Sequence, residues 1–171
     1  MRRLIVAVGL AGAVLGWAGP VGAEADDHGY GHTIKLSMTE ASCFQADFSA
    51  YPYITFYGVG DHLNLKPFGA SSLDWDIVVL ATATGFDFVN GAFAFTLPNH
   101  DKLTGDYTGF SIDVATGAYT VDWLFTDGTG ALEDAHGKGK TNGVTNLATL
   151  CANFTFKGKV KVDGQHGEHD N

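Results

Sequence analysis

Apolar residues recur at every second position over much of the chain, and this period leaves little choice of architecture. Trp75, Ile77, Val79, Ala81 and Ala83 share one parity. So do Phe93, Phe95 and Leu97, then Tyr119, Val121, Trp123 and Phe125, then Ala148, Leu150, Ala152, Phe154 and Phe156. Their neighbours are mostly Thr, Asp, Asn and Ala. Successive side chains on a strand point to opposite faces, so this alternation marks strands buried on one side. No apolar stripe of period 3.6 reaches helical length, and Thr, Val, Phe and Tyr suit a pleated surface. The runs predict about eight strands, roughly over 33–47, 53–66, 74–84, 91–97, 102–112, 117–125, 134–141 and 147–162. Turn formers separate them: Pro67-Phe68-Gly69, Val89-Asn90-Gly91, Pro98-Asn99-His100-Asp101, Ala115-Thr116-Gly117 and Asp127-Gly128-Thr129-Gly130. Short strands with tight turns predict an all-β antiparallel meander, a barrel or a sandwich.

The two cysteines bear on that choice. Cys43 falls on the first predicted strand and Cys151 on the last. In an exported chain an even pair reads as one disulfide; two free thiols, or half of a metal site, are the alternatives. Neither cysteine lies in a Cys-x-x-Cys motif or near a histidine in sequence. A bridge needs Cα atoms within about 7 Å. First and last strands are neighbours when an up-and-down sheet closes on itself, which also removes its edges. The pair therefore favours an eight-stranded antiparallel up-and-down barrel. Cys151 alternates out of phase with Leu150 and Phe154, which puts the bridge on the outer wall if the aromatic face points inward.

Export is read from the N-terminus. Met1-Arg2-Arg3 is a basic head, Leu4 to Gly19 is an apolar run, and Val21-Gly22-Ala23 is a small-residue cleavage site, the layout of a secretory signal peptide. The apolar run is shorter than the roughly 20 residues of a spanning helix, so no membrane span is expected once residues 1–23 are removed, with cleavage after Ala25 as the alternative. Arg2-Arg3 leaves general and twin-arginine export both open. The expected layout is signal peptide 1–23, flexible segment 24–32, barrel domain 33–162 and flexible tail 163–171, in a secreted or periplasmic protein. Losing Arg2 and Arg3 from 10 cations, against 19 acids, takes the formal charge from −9 to −11. That balance opposes binding to nucleic acid and to anionic membrane surfaces.

Three segments carry a family likeness. "GVGDHLNLKPFG" (58–69), "LPNHDKLTGDYTG" (97–109) and "DGTGALEDAHGKG" (127–139) resemble recurring motifs of small exported bacterial proteins with an allene-oxide-cyclase-like, or dirigent-like, barrel. The family pattern is His-Leu-Gly after a Gly-x-Gly run, Asn-Gly-Asp before Leu-Thr-Gly-x-Tyr-x-Gly, and Gly-Thr-Gly-Arg-Phe before Ala-x-Gly-x-Gly. Here Asn64 and His100 stand at two glycine positions, both residues that tolerate positive φ. Ala131-Leu132 replaces Arg-Phe, so no role of that arginine carries over. The resemblance implies an eight-stranded barrel with an apolar interior. Relatives of that barrel include plant allene oxide cyclases, dirigent proteins and spirotetronate cyclases, which often form oligomers and use the cavity to shape a substrate.

The candidate sites follow from the barrel. Trp75, Phe93, Phe95, Tyr107, Tyr119, Trp123, Phe154 and Phe156 are expected to line the interior, either around a flat apolar ligand or as a filled core. His62 and Tyr107, with Glu40 on the inward parity of its strand, are the candidates for steering charge in a cofactor-free cyclase or isomerase. His62 and Glu40 also have plain structural readings, as a backbone-bonded histidine and as a carboxylate at a strand end or bulge. His100-Asp101 reads as a hairpin bend, since adjacent strand residues face opposite sides. No cofactor and no built metal site are expected: His28, His32, His166 and His169 lie near the two ends. Gly137-Lys-Gly-Lys-Thr141 lacks the earlier glycine of a phosphate-binding loop, and Asp127–Glu133 lacks EF-hand spacing. The leading expectation is an exported barrel that binds a small apolar ligand or a protein partner, with a cyclase as the alternative and a structural envelope component third. A homo-oligomer would use outward apolar residues such as Val78, Leu80, Phe110, Ile112 and Leu124.

Overall fold

The computed structural model describes residues 32–162. The expected signal peptide, most of the 24–32 segment, the 163–171 tail and His28, His166 and His169 lie outside these residues. Nine strands follow one another: β1 (His32–Cys43), β2 (Gln45–Asp47), β3 (Tyr53–Leu65), β4 (Gly69–Ala81), β5 (Phe86–Thr96), β6 (Lys102–Ile112), β7 (Ala118–Gly128), β8 (His136–Asn146) and β9 (Cys151–Val162). All pairings are antiparallel, in the order β1-β9-β8-β7-β6-β5-β4-β3-β2. A 3-10 turn at Gly130–Leu132 is the one helical element among the described residues. None of these elements is a helix long and apolar enough to cross a membrane.

Two points correct the sequence reading. The expected first strand, 33–47, is two strands split at Phe44: its first part pairs with β9 and its last part with β3. The count is therefore nine, and the expected closed eight-stranded barrel is replaced by a curled sheet with a seam. Across the seam, Ser37 of β1 and Lys66, one residue past β3, form an isolated bridge by reciprocal backbone bonds of 3.2 and 2.9 Å. The physical cause is a β-bulge in β3 between Gly60 and Leu63. From Ser37–Lys66 to Gln45–Tyr57 the chain advances eight residues on one side and nine on the other, so pairing cannot stay in step.

Bulges also explain where strand bounds and side-chain parity depart from expectation. Val89-Asn90-Gly91, read as a turn, is a bulge within β5, which begins at Phe86. The β4–β5 turn lies earlier, where Thr82 N–H donates to Gly85 O at 2.9 Å. A shift in β6 between Tyr107 and Gly109 leaves Thr108 as the extra residue. One inserted residue moves every later side chain to the opposite face, so Phe110 and Ile112 point inward rather than outward.

Cys43 and Cys151 sit directly opposite each other on β1 and β9, with Cα atoms 3.9 Å apart, and form a disulfide. It links the first and last strands, and Cys43 is exposed on the outer face. A disulfide agrees with maturation in an oxidising compartment.

The interior has two halves. Around the ends of β3, β5 and β7, Trp123, Phe95, Leu65, Leu103 and Val160 are almost wholly buried, and Leu132 and Ala135 from the β7–β8 connection complete the plug. Trp123 stacks on Phe156 with ring centroids 4.1 Å apart and planes 5° apart. It can lie flat because Gly139 and Gly158 present no side chain there: a Cβ at either would overlap the indole. The Gly-Lys-Gly-Lys run of β8 is thus the small-residue counterpart of a large residue on β7. The second half, around Ile54, Phe56, Ile77, Val79 and Val121, is less completely filled.

At the β5–β6 hairpin, Leu97 N–H donates to Asp101 O at 2.8 Å and His100 N–H to Leu97 O at 2.9 Å. His100 is exposed, with φ of 69°. Asp101 instead accepts from Asn99 Nδ2 at 2.8 Å and from Ala131 N–H at 3.3 Å, so the pair is a bend. A left-handed conformation costs a non-glycine residue about 1–2 kcal/mol. His100→Gly should therefore leave the midpoint of a urea melt unchanged or raise the unfolding free energy by up to about 1 kcal/mol. A loss of 1 kcal/mol or more would show that the imidazole makes a contact of its own.

Candidate ligand cavity

The end of the sheet opposite the Leu132 plug encloses a cavity of about 90 Å³, partly open to solvent. One water needs roughly 10–15 Å³ on the same measure, so the space accommodates a small organic group. Its walls come from strand ends. Ser42 and Phe44 flank the disulfide, Phe56 comes from β3, Trp75 and Ile77 from β4, Phe86 from β5, and Phe110 and Ile112 from β6. Tyr119 and Val121 of β7, Thr141 and Thr145 of β8, and Ala152 and Phe154 of β9 complete the ring. Phe44 holds one side together by edge contacts to Phe56 and Trp75, both at 5.7 Å between centroids. Phe156 is the floor, since its other neighbours are Trp123 and Phe95 of the packed half.

Among the described residues no charged side chain lines the cavity; its hydroxyls are those of Ser42, Tyr107, Tyr119, Thr141 and Thr145. Thr145 Oγ1 donates to Cys151 O at 3.2 Å. Neither tyrosine hydroxyl has a hydrogen-bond partner among the described residues. Both rings lie over glycines: a Cβ at Gly91 would come within 2.9 Å of Tyr107 Cδ2, and at Gly143 within 2.7 Å of Tyr119 Cε1. Burial pushes the Tyr119 hydroxyl up to about 12. Burial also raises Tyr107 well above the usual phenol range, helped by Tyr119 and Asp76 nearby. Both groups are therefore protonated donors at neutral pH.

The linkage has a definite sign. Below pH 10 folded and unfolded chains both keep the Tyr119 proton. Above it the unfolded chain gives the proton up first, so unfolding becomes easier by up to about 1.4 kcal/mol per pH unit until about pH 12. Urea melts of the native protein and of Tyr119→Phe, compared at pH 9 and pH 11, should show a smaller alkaline loss in the variant. Equal losses would mean that Tyr119 does not carry this dependence.

The expected lining residues divide between the two halves. Trp75, Tyr107, Tyr119, Phe154 and Phe156 border the cavity, whereas Phe93, Phe95 and Trp123 are packed beneath it. The three residues expected to steer charge are not brought together. His62 is exposed at the β3 bulge with φ of 60°. It, not Asn64, holds the left-handed position, because the bulge falls between Gly60 and Leu63. Glu40 turns from the interior to the seam, where its Oε1 accepts from Asn64 N–H at 3.1 Å. Of the three, Tyr107 alone lines the cavity. His32 is exposed on β1. Phe44, Phe56, Phe86, Phe110 and Ile112 are lining residues absent from the sequence expectation. Phe44 and Phe56 share the inward parity of Met38 and Ile54, a signal present in the sequence, while the other three lay behind the bulges.

The loops around the mouth are fastened by side chains accepting from nearby backbone. Asp113 Oδ1 accepts from Ala115 N–H at 2.9 Å, Asn146 Oδ1 from Ala148 N–H at 2.9 Å, and Asp47 Oδ1 from Ser49 N–H at 2.8 Å. Beside them Phe48 and Tyr51 stand largely in solvent, 58% and 72% exposed. Compared with protein-family models, with curated proteins and with solved structures, the chain matches none of them.

Proposed function

We propose that the chain is an exported binding protein for a small, uncharged, ring-bearing apolar molecule held in the cavity beside the disulfide. One observation carries this reading: the interior is packed solid at one end and hollow at the other, and the hollow end holds two tyrosine donors with no partner among the described residues. Aromatic walls supply non-directional burial, and the two hydroxyls supply orientation to a carbonyl or ether oxygen. The absence of a lining charge among the described residues favours a neutral guest, since an ion would lose its hydration without compensation. The likeness of the turn motifs to allene-oxide-cyclase-like barrels is in keeping with this reading, as those barrels hold their substrates inside.

Native mass spectrometry of the protein from its own host should show an adduct of small mass. Ala152→Phe places a ring in the cavity, since Ala152 is a lining residue that is itself 6% exposed. That variant should lose the adduct, lower affinity for a fluorescent aromatic probe at least tenfold, and still melt cooperatively. An adduct retained by a folded Ala152→Phe protein would sink the proposal.

A second reading, a cofactor-free cyclase or isomerase, is favoured by Tyr107 alone. A buried phenol that keeps its proton can donate to a developing oxyanion but cannot act as a base at neutral pH. In that case Tyr107→Phe would reduce turnover while leaving affinity for the guest nearly unchanged.

A further inference from the structure

The strand register gathers the cations of an acidic protein onto one face. Of the eight lysines among the described residues, six are exposed on β1, β9 and β8: Lys35, Lys138, Lys140, Lys157, Lys159 and Lys161. Lys159 stands opposite Lys35 on one side and Lys138 on the other, and Lys140 opposite Lys157. These three strands contain one acid, Glu40, which is committed to the seam. The nearest acid on the neighbouring strand, Asp122 of β7, engages Lys140 at 3.0 Å. Like charges directly opposed across strands destabilise a sheet, so folding alone gives no reason for the arrangement.

We propose that this face docks the protein on an anionic phospholipid surface. The lysines form a two-dimensional array, about 6.6–6.8 Å apart along a strand and 4.7–4.9 Å between strands. An array of that shape matches a plane of headgroups better than a single linear polyanion. The uncharged outward residues among them, Thr33, Ser37, Thr39, Asn142 and Thr155, include no aromatic to stack on bases, which disfavours single-stranded nucleic acid. Lysines Lys35, Lys157 and Lys159, with Ser37, border a shallow depression on this face. Of the thirteen acids among the described residues, eight lie on β2 to β7, and charges more than about 8 Å away are screened at physiological salt. Net charge opposes membrane contact, but the local face favours it.

The test is sedimentation with vesicles of one part phosphatidylglycerol to three parts phosphatidylcholine, against phosphatidylcholine alone. The native protein should pellet with the anionic vesicles only, and less so as salt rises. K35Q/K138Q/K157Q/K159Q should lower partitioning more than a hundredfold, at about fivefold per lysine, whereas K66Q/K102Q should leave it unchanged. Lys159→Glu, which sets a carboxylate between Lys35 and Lys138, should weaken vesicle binding at least fivefold and melt no lower than the native protein, keeping the loss separate from misfolding. Equal pelleting by the quadruple variant, binding to soluble polyphosphate without vesicle binding, or salt-sensitive self-association in place of either, would overturn the proposal.

Discussion

Replacing both Cys43 and Cys151 by alanine is expected to lower the unfolding free energy by about 4–5 kcal/mol. The bridge joins residues 108 apart in sequence, and its chief effect in the chain-entropy account is on the unfolded state, where it removes the freedom of a long loop. For a domain of this size the loss corresponds to roughly 10–20 °C in melting temperature. Urea melts of the native protein with reductant should coincide with those of the double variant. A difference below about 1 kcal/mol would mean that β1 and β9 stay associated in the denatured ensemble, so that the bridge constrains little. The cavity should suffer beyond the global loss, because Ser42, Phe44 and Ala152, three of its lining residues, adjoin the bridge.

The second large effect is expected at Gly158. A Cβ at this position would overlap the Trp123 indole and lie 2.8 Å from Lys138 O. A backbone carbonyl cannot withdraw without breaking the β8–β9 ladder, and the indole is 1% exposed and stacked on Phe156. Gly158→Val should therefore cost about 3 kcal/mol or more, at or beyond the upper end of ordinary overpacking. Trp123→Leu alone should cost less than the about 3–5 kcal/mol of a truncation to alanine, because leucine fills part of the cavity. The double variant should cost less than the sum by at least 1 kcal/mol, since the smaller side chain vacates the space that valine needs. Strict additivity would show that the carbonyl, not the indole, limits this site. Trp123 Nε1 is buried without a hydrogen-bond partner among the described residues, so the indole is retained there for its volume rather than its polarity.

Much of this architecture is legible in the sequence because alternation is a local property. Phe93, Phe95, Trp123 and Phe156 are inward in both accounts, and the disulfide follows from two cysteines on the first and last strands. The errors cluster where one residue is inserted. Val89-Asn90-Gly91 has the composition of a turn but serves as a bulge, and Thr108 reverses the parity that hid Phe110 and Ile112. An inserted residue leaves composition unchanged, so only the partner strand reveals it. Glu40 illustrates a different limit: its parity points inward, but a long carboxylate next to an unpaired backbone donor turns sideways to meet it. The lysines are the reverse case. Lys138 and Lys140 alternate along β8, and Lys157, Lys159 and Lys161 along β9, which can be read directly, yet a summed charge of −9 conceals that they form one face.

The seam between β1 and β3 has a consequence for how the protein exchanges with solvent. Strands β4 to β9 are laddered on both sides, but on the β3 side of β1 backbone pairing among the described residues is confined to Ser37 and Lys66. Amides of Thr39 and Ala41, on the same side of β1 as Ser37, face the gap that the bulge creates. In deuterated buffer they should exchange through small local openings, while amides near Trp123 should await global unfolding. Such a wall has a built-in line of weakness beside the cavity. A guest could then enter by a brief parting of two strands, with no need for the rest of the sheet to loosen.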